Sequence, residues 1–254
     1  MNPLVSIITP TFNSVATLRD TLDSVLRQDY PVLEHIIVDG GSTDGTLALT
    51  SEFDDRLQVL SEPDRGLYDA INKGLRLAKG EIVGVLNSDD FYSHNAVISR
   101  IVALMNRHNA DSAYGDLCYV AAADTRRIVR YWRSGAYRPG KFLYGWMPPH
   151  PTFFVRKNVY EELGGFDPAL NIAADYELML RFLYRHGLKT AYLPEVLVHM
   201  RTGGVSNASW RHRLRANLED RDAWRRNGLQ PYFFTTWLKP LRKIPQYFLP
   251  PPAL

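Results

Sequence analysis

The 254-residue chain has one cysteine, Cys118, so no internal disulfide can form, and its Cys and His spacing makes no structural zinc site. No run approaches the roughly 20 uncharged apolar residues that a membrane-spanning helix needs. No G-x-G-x-x-G follows the first apolar segment, which excludes a dinucleotide-dependent dehydrogenase. Internal repeats are absent, and compositional bias is confined to Pro250-Pro251-Pro252. Met1-Asn2-Pro3 leads straight into an apolar segment without a basic n-region, so the expectation is a cytoplasmic protein with no signal peptide. What remains is an ordinary globular composition, 45% hydrophobic and 22% charged, enough for one large domain or two small ones.

The net charge of +3 is unevenly spread. Residues 201–254 carry ten Lys and Arg against three Asp and Glu, whereas residues 1–200 carry twenty against twenty-four. A basic tail on a mildly acidic body suits an anionic surface. No nucleic-acid partner is expected, because no recognised binding motif accompanies the charge.

Residues 4–116 alternate β-branched runs with amphipathic stripes. Leu4–Thr9, His35–Val38, Leu57–Leu60 and Ile82–Leu86 read as strands. Between them, Val15 to Leu26, Asp44 to Phe53 and Leu67 to Ala78 read as helices, with Gly80 in a C′ position and a further helix over Ala96–Arg107. This order predicts an α/β fold with a mostly parallel sheet, and ligands then sit at the carboxyl ends of the strands. Three polar or glycine-rich segments lie there: Pro10–Asn13, Asp39–Gly45 and Asn87–Asp90. The second half predicts a hairpin or meander over Asp116–Trp132, a loop over Gly135–Pro149, a strand at Thr152–Val155, helices from Lys157 and from Asp175 to His186, a strand at Tyr192–His199 and a charged helix over Ser209–Asn227.

Thr9-Pro10-Thr11-Phe12-Asn13, Val38–Thr46, Asp64–Gly74 and Leu86-Asn87-Ser88-Asp89-Asp90, in this order and spacing, resemble the family 2 glycosyltransferases of the GT-A fold, in particular the branch that builds bacterial polysaccharide and glycolipid chains. The resemblance covers about residues 4–205. It implies a Rossmann-like nucleotide-binding fold with a mostly parallel central sheet flanked by helices. Residues 1–205 are then the catalytic domain, with a nucleotide-sugar half (1–116) and an acceptor half (117–205), followed by a helix and tail (206–254).

On this resemblance Thr9, Pro10, Thr11, Asn13, Asp39, Asp69, Asn72, Asn87, Ser88 and Asp89 fall at the nucleotide-sugar site. Asp39 can accept from a base N–H or can simply stabilise the glycine loop. Asp69 and Asn72 share a helix face that either reaches the ribose or is merely solvated. Asp89 and Asp90 suit a hard divalent cation, Mn²⁺ or Mg²⁺, that neutralises a diphosphate; the competing reading is an Asp-rich turn capping the helix near His94. Many relatives have Asp where this chain has Asn87. His199 is a further candidate metal ligand, followed by a lid-like stretch, Arg201–Ser206. Asp175 matches the family's catalytic base for inverting transfer, with a helix cap as the alternative reading. Glu177 lies on another helix face. Trp146 and His150 are candidates for stacking on a sugar or for binding the acceptor or phosphate.

The expected activity is transfer from a nucleotide-sugar, UDP- ahead of GDP-linked, to a glycan or polyprenyl-linked acceptor. The competing classes are a sugar-phosphate nucleotidyltransferase, which would open with a glycine-rich basic loop where Pro10–Asn13 stands, and a non-catalytic nucleotide- or glycan-binding module. From Tyr232 onward aromatics interleave with Lys and Arg, a pattern for the inner face of the cytoplasmic membrane. The rival reading packs these rings on the catalytic domain, and Pro240 and Pro245 predict short helical pieces in either case.

Overall fold

A computed structural model describes residues 2–53, 56–203 and 210–249. The first half follows the hydrophobic periods: β1 (Val5–Thr11), α1 (Leu18–Leu26), β2 (Leu33–Asp39), α2 (Thr46–Ser51), β3 (Gln58–Ser61), α3 (Leu67–Leu77) and β4 (Ile82–Val85). There follow β5 (Phe91–Tyr92), α4 (Val97–His108), β6 (Ser112–Val120), β7 (Ile128–Trp132), β8 (Phe154–Arg156) and α5 (Lys157–Leu163). Next come α6 (Ala174–Met179), which continues as a π-helical turn over Leu180–Arg185, then β9 (Thr190–Arg201), α7 (Trp210–Arg226) and α8 (Thr235–Leu241).

Among the described residues nine strands form one sheet, in the order β3-β2-β1-β4-β8-β6-β9-β5, with β7 paired to β6. The parallel arrangement expected from the sequence holds for β3, β2, β1 and β4. The second half is mixed. β8 runs antiparallel to β4 and β6, and β5 antiparallel to β9, while β6 and β9 are parallel. The β6–β9 crossover is long enough, through β7, β8, α5 and α6, to bring the chain back in the same direction.

Two expectations change. β6 starts at Ser112, where it pairs with β8 and β9, so the division drawn at residue 116 falls inside a strand. Gly80 is not a left-handed C′ residue. A Cβ there would lie 2.5 Å from Ser6 Oγ and 2.7 Å from Ser6 N, so glycine is needed for close approach to β1.

β1 shows how the strands split the core. Val5 and Ile7 join Ile98, Ile101, Met105 and Leu117 on one face, while Ile8 joins Ile36, Ile71, Tyr176 and Trp224 on the other. Trp224 is fully buried, and its indole N–H donates to the Tyr176 hydroxyl at 2.9 Å. The tail follows α7 back onto the body. Asn217 Nδ2 donates to Thr236 O at 2.9 Å, Thr235 Oγ1 to Leu143 O at 2.6 Å, and Lys239 pairs with Asp220 at 2.6 Å. It consists of short pieces, the seven-residue α8 and a 3₁₀ turn at Pro245–Tyr247. The tail is seated through these polar groups and not through the rings that the rival reading packs: Phe233, Trp237, Leu241, Ile244 and Phe248 remain more than half exposed. No helix among the described residues is long and apolar enough to cross a membrane.

Candidate active site

The loops that leave β1, β2 and β4 at their carboxyl ends are stitched into one unit. Asn13 adopts a left-handed φ of 50°, its N–H donates to Ser42 Oγ at 2.7 Å, and its Oδ1 accepts from Thr43 N at 2.9 Å. Ser14 N donates to Thr46 Oγ1 at 2.8 Å, and the Ser14 and Ser88 hydroxyls meet at 2.9 Å. Asn13 is therefore part of the scaffold that sets the loop.

Asp39 is fully buried at the end of β2. Its Oδ2 accepts from Gly41 N and Ser42 N at 3.0 Å each and from Ser61 Oγ at 2.7 Å, and its Oδ1 accepts from the Ser42 hydroxyl. Burial works to raise its pKa, but these four donors outweigh it and leave the carboxylate below its usual range. The glycine-loop reading is thus realised, and Oδ1 keeps accepting capacity for a base. Gly40 is packed against this region: a Cβ there would lie 2.5 Å from Asp64 Oδ2.

Several predicted contacts are redirected. Thr9 is buried within the sheet and its hydroxyl bonds His35 Nε2 at 2.9 Å, so it does not face the loops. Pro10 is buried beside it, and Thr11 is buried with its Oγ1 unpartnered. Asp69 accepts from Arg65 N at 3.1 Å, so it fixes the entry to α3. The Asn72 amide is taken up by a neighbouring segment. It donates to Phe166 O at 2.7 Å and accepts from Phe166 N at 2.9 Å, pinning α3 to the segment before α6. Trp146 does not offer a stacking face either. It is 4% exposed, enclosed by Tyr114, Tyr137 and Phe142, and its Nε1 donates to Ser134 O at 2.8 Å.

The Asn87–Asp90 turn is not a helix cap, because α4 begins at Val97 behind Ala96, which offers no side-chain cap. Thr17 Oγ1 donates to Ser88 O at 2.9 Å, Thr21 Oγ1 to Asp90 O at 2.7 Å, and Arg201 Nη1 to Asp89 O at 2.7 Å. Asp90 is fully buried. Asn87 Nδ2 donates to its Oδ2 at 3.1 Å, while its Oδ1 and Asn87 Oδ1 have no partner. Burial, with the Asp89 charge adding, pushes the Asp90 carboxyl well above its usual range; burial likewise raises Asp89, against the field of Arg201. A fully buried carboxylate with an orphaned oxygen, beside the half-buried Asp89, fits a hard divalent cation that takes its remaining ligands from phosphate.

His199 is not gathered into that set. Among the described residues no three His, Cys, Asp or Glu side chains converge as a metal cluster. His199 lies opposite Phe91 in the β5–β9 pairing, edge-on at 5.3 Å. Its Nε2 is buried without a partner, and burial, then the nearby His94, lowers its pKa. Residues 204–206 of the lid-like stretch lie outside the described residues. Arg201, two residues past His199 on the same face of β9, is the useful group the sequence reading passed over: it is 8% exposed and also pairs with Asp20.

Asp175 is the second residue of α6 rather than its cap, since Ala173 holds the N-cap position. Its half-buried Oδ1 accepts from Tyr176 N at 2.7 Å and from Tyr68 OH at 3.4 Å. Among the described residues Oδ2 makes no hydrogen bond, so it is the oxygen that can take a proton. Tyr68 also donates to Ile172 O at 2.9 Å, tying α3 to the start of α6. His150 stands edge-on to Phe166 at 5.3 Å; burial lowers its pKa while the nearby Asp175 charge opposes this. Glu177 faces elsewhere, buried against Arg181 at 3.0 Å and Asn227 at 3.0 Å.

The sheet, the loop unit and the acidic turn define a nucleotide-sugar transferase architecture. The profile of the family "Glycosyl transferase family 2" matches residues 6–168, and the chain belongs to that family of enzymes. It is similar to a "PGL/p-HBAD biosynthesis glycosyltransferase" of Mycobacterium tuberculosis, 31% identical over 211 residues that cover 81% of this chain and 80% of the relative. An uncharacterised glycosyltransferase of Rickettsia typhi is 28% identical, covering 72% of this chain and 59% of the relative. Among solved structures, TarS 1-349 of S. aureus in complex with UDP-GlcNAc aligns at a TM-score of 0.67 and 20% identity, over 88% of this chain and 65% of that one. The mannosyltransferase PcManGT of Pyrobaculum calidifontis in complex with GDP-Man and Mn²⁺ aligns at 0.66 and 23%, over 94% and 68%. Against a longer TarS chain the match spans 39% of its length. The fold is that of the GT-A glycosyltransferases.

Proposed function

We propose that this enzyme is a metal-dependent inverting glycosyltransferase of cell-surface polysaccharide or glycolipid synthesis. It moves a sugar from a nucleotide-sugar, UDP- in preference to GDP-linked, to a hydroxyl of a glycan or polyprenyl-linked acceptor. The observation that carries the reading is the turn after β4, where Asp90 is fully buried with an orphaned oxygen beside Asp89. The solved relatives with UDP-GlcNAc and with GDP-Man and Mn²⁺ support it.

Asp89 and Asp90 would hold the cation, Mn²⁺ or Mg²⁺, which when bound neutralises diphosphate charge. Asp39 Oδ1 offers an acceptor to the base. Asp175 Oδ2 receives the proton of the acceptor hydroxyl as that oxygen bonds to the anomeric carbon, and the nucleoside diphosphate departs from the opposite face. Tyr68 holds Asp175 Oδ1, which leaves Oδ2 for the acceptor. The exposed Phe233, Trp237 and Phe248, flanked by Arg221 and Arg242, form the surface proposed to meet an anionic membrane on its cytoplasmic face.

Incubation with UDP- and GDP-sugars, with and without Mn²⁺ or Mg²⁺, tests the reading. Cation-dependent release of nucleoside diphosphate is the expected result; turnover of neither donor class would refute it.

A further inference from the structure

The turn that leads to Asp175 is held from a helix beyond the residues of the family match, which ends at residue 168, whereas α7 spans Trp210–Arg226. Ile172 and Ala173 enter α6, and their N–H groups have no acceptor within that helix. Both donate to one oxygen of Glu219 on α7: Ile172 N lies 2.7 Å and Ala173 N 3.1 Å from its Oε2. The other oxygen, Oε1, lies 3.4 Å from Arg215 Nε. The Glu219 side chain is 13% exposed, so little water competes for it. Amides held by an ionised acceptor are held more firmly than by a neutral one.

The same turn is gripped from a second element. Ile172 O accepts from Tyr68 OH on α3 at 2.9 Å, and that hydroxyl stands 3.4 Å from Asp175 Oδ1. Residue 172 thus has its N–H fixed by α7 and its carbonyl by α3. Further along, Trp224 Nε1 donates to Tyr176 OH at 2.9 Å and Asn227 Nδ2 to Glu177 Oε1 at 3.0 Å. Those two contacts end on buried side chains. Of the three grips of α7 on this region, that of Glu219 is the one made to backbone. Asp175 is the second residue of α6, so the direction of its side chain follows from the backbone that enters the helix.

We propose that Glu219 is a positioning residue for transfer: its carboxylate sets the turn over residues 171–173 and thereby the aim of Asp175 Oδ2 at the acceptor oxygen. The inference rests on the reading of Asp175 as the base. It makes α7 part of the working enzyme, outside the stretch that the sequence motifs cover. A reacting group misplaced by about 1 Å costs on the order of 10²-fold in rate. Asp39, Asp89 and Asp90, the residues assigned to the donor, lie on other elements, so donor affinity should not follow.

The test uses the full chain with Mn²⁺. It measures nucleoside diphosphate released from UDP-GlcNAc and from GDP-Man with water as acceptor, beside the affinity for UDP and GDP. Glu219→Ala should lower turnover at saturating donor about 10²-fold and leave nucleoside diphosphate affinity within a few-fold. Glu219→Gln keeps an oxygen for the two amides and should turn over within a few-fold of wild type. Glu219→Asp keeps the charge but draws the acceptor back by one methylene; it should also lose turnover, and it serves where melts show that Glu219→Ala has not folded. The double variant Glu219→Ala, Asp175→Asn should be no slower than Asp175→Asn alone, because a residue that acts through another adds nothing once that one is gone. Hydrogen exchange over residues 170–175 should be faster in Glu219→Ala than in wild type or Glu219→Gln. Wild-type turnover or exchange in a folded Glu219→Ala, wild-type turnover in Glu219→Asp, an equal loss in Glu219→Gln, or a further loss in the double variant overturns the inference. If Asp175→Asn itself turns over as wild type does, the base reading fails instead; if wild-type protein releases neither diphosphate, the donor reading fails.

Discussion

Asp175 has one oxygen held by its own helix and by Tyr68 and one left over, the arrangement a general base needs. Asp175→Asn keeps the hydrogen bond from Tyr176 N and loses the basicity. It should leave donor affinity within a few-fold and lower turnover by roughly 10²–10⁴, measured as transfer at saturating donor. Turnover near wild type would assign the proton to another carboxylate. The positions of Asp39, Asp89, Asp90 and Asp175 at element ends were legible in the sequence because an apolar run or a helix start marks each. Thr9, Asn72 and Trp146 were not, because position along an element does not reveal which distant group takes up a side chain. The Thr9 hydroxyl meets His35 across 26 residues, and the Asn72 amide is matched to the backbone of Phe166 across 94.

At the scale of elements, the tail is held where α8 crosses the 3₁₀ turn at Lys141–Tyr144. Gly145 closes that turn with a φ of +72°, and a Cβ on it would lie 2.5 Å from Lys239 N. Gly145→Ala must strain its own backbone and push α8 away, a loss of about 1–3 kcal/mol. In a protein of this size each kcal/mol lowers the melting temperature by about 2–4 °C. A variant that melts as wild type does would show that the tail is not seated there. The elements of both halves were readable from local pattern, whereas the exact strand ends and the pairing of the second-half strands were not. β8 is three residues long, and β6 owes its first residues to pairing with β8 and β9 rather than to a local pattern.

Across the whole molecule, the tail turns polar and small groups inward and large rings outward. Phe233 and Phe248 are each 82% exposed and Trp237 is 56% exposed. Removing the tail would strip the body of its cover, so the membrane proposal is better tested with Phe233→Ser and Trp237→Ser in the full chain. Both should reduce co-sedimentation with anionic vesicles at low salt and leave nucleotide binding intact; wild-type protein that stays in the supernatant would end the proposal. The order of strand, glycine loop and acidic turn made the family legible because four motifs had to recur at consistent spacing. The basic aromatic tail alone did not say whether it packs or docks, since both uses need the same residue types. The central claim is that the turn after β4 binds the donor through a divalent cation. Titration of UDP and GDP into wild-type protein and Asp90→Ala, with Mn²⁺ and with EDTA, tests it most directly. The account predicts binding that requires the cation in wild type and is lost in the variant, whose melting temperature stays close to that of the parent. Equal affinity in the two proteins, or affinity indifferent to EDTA, would contradict it.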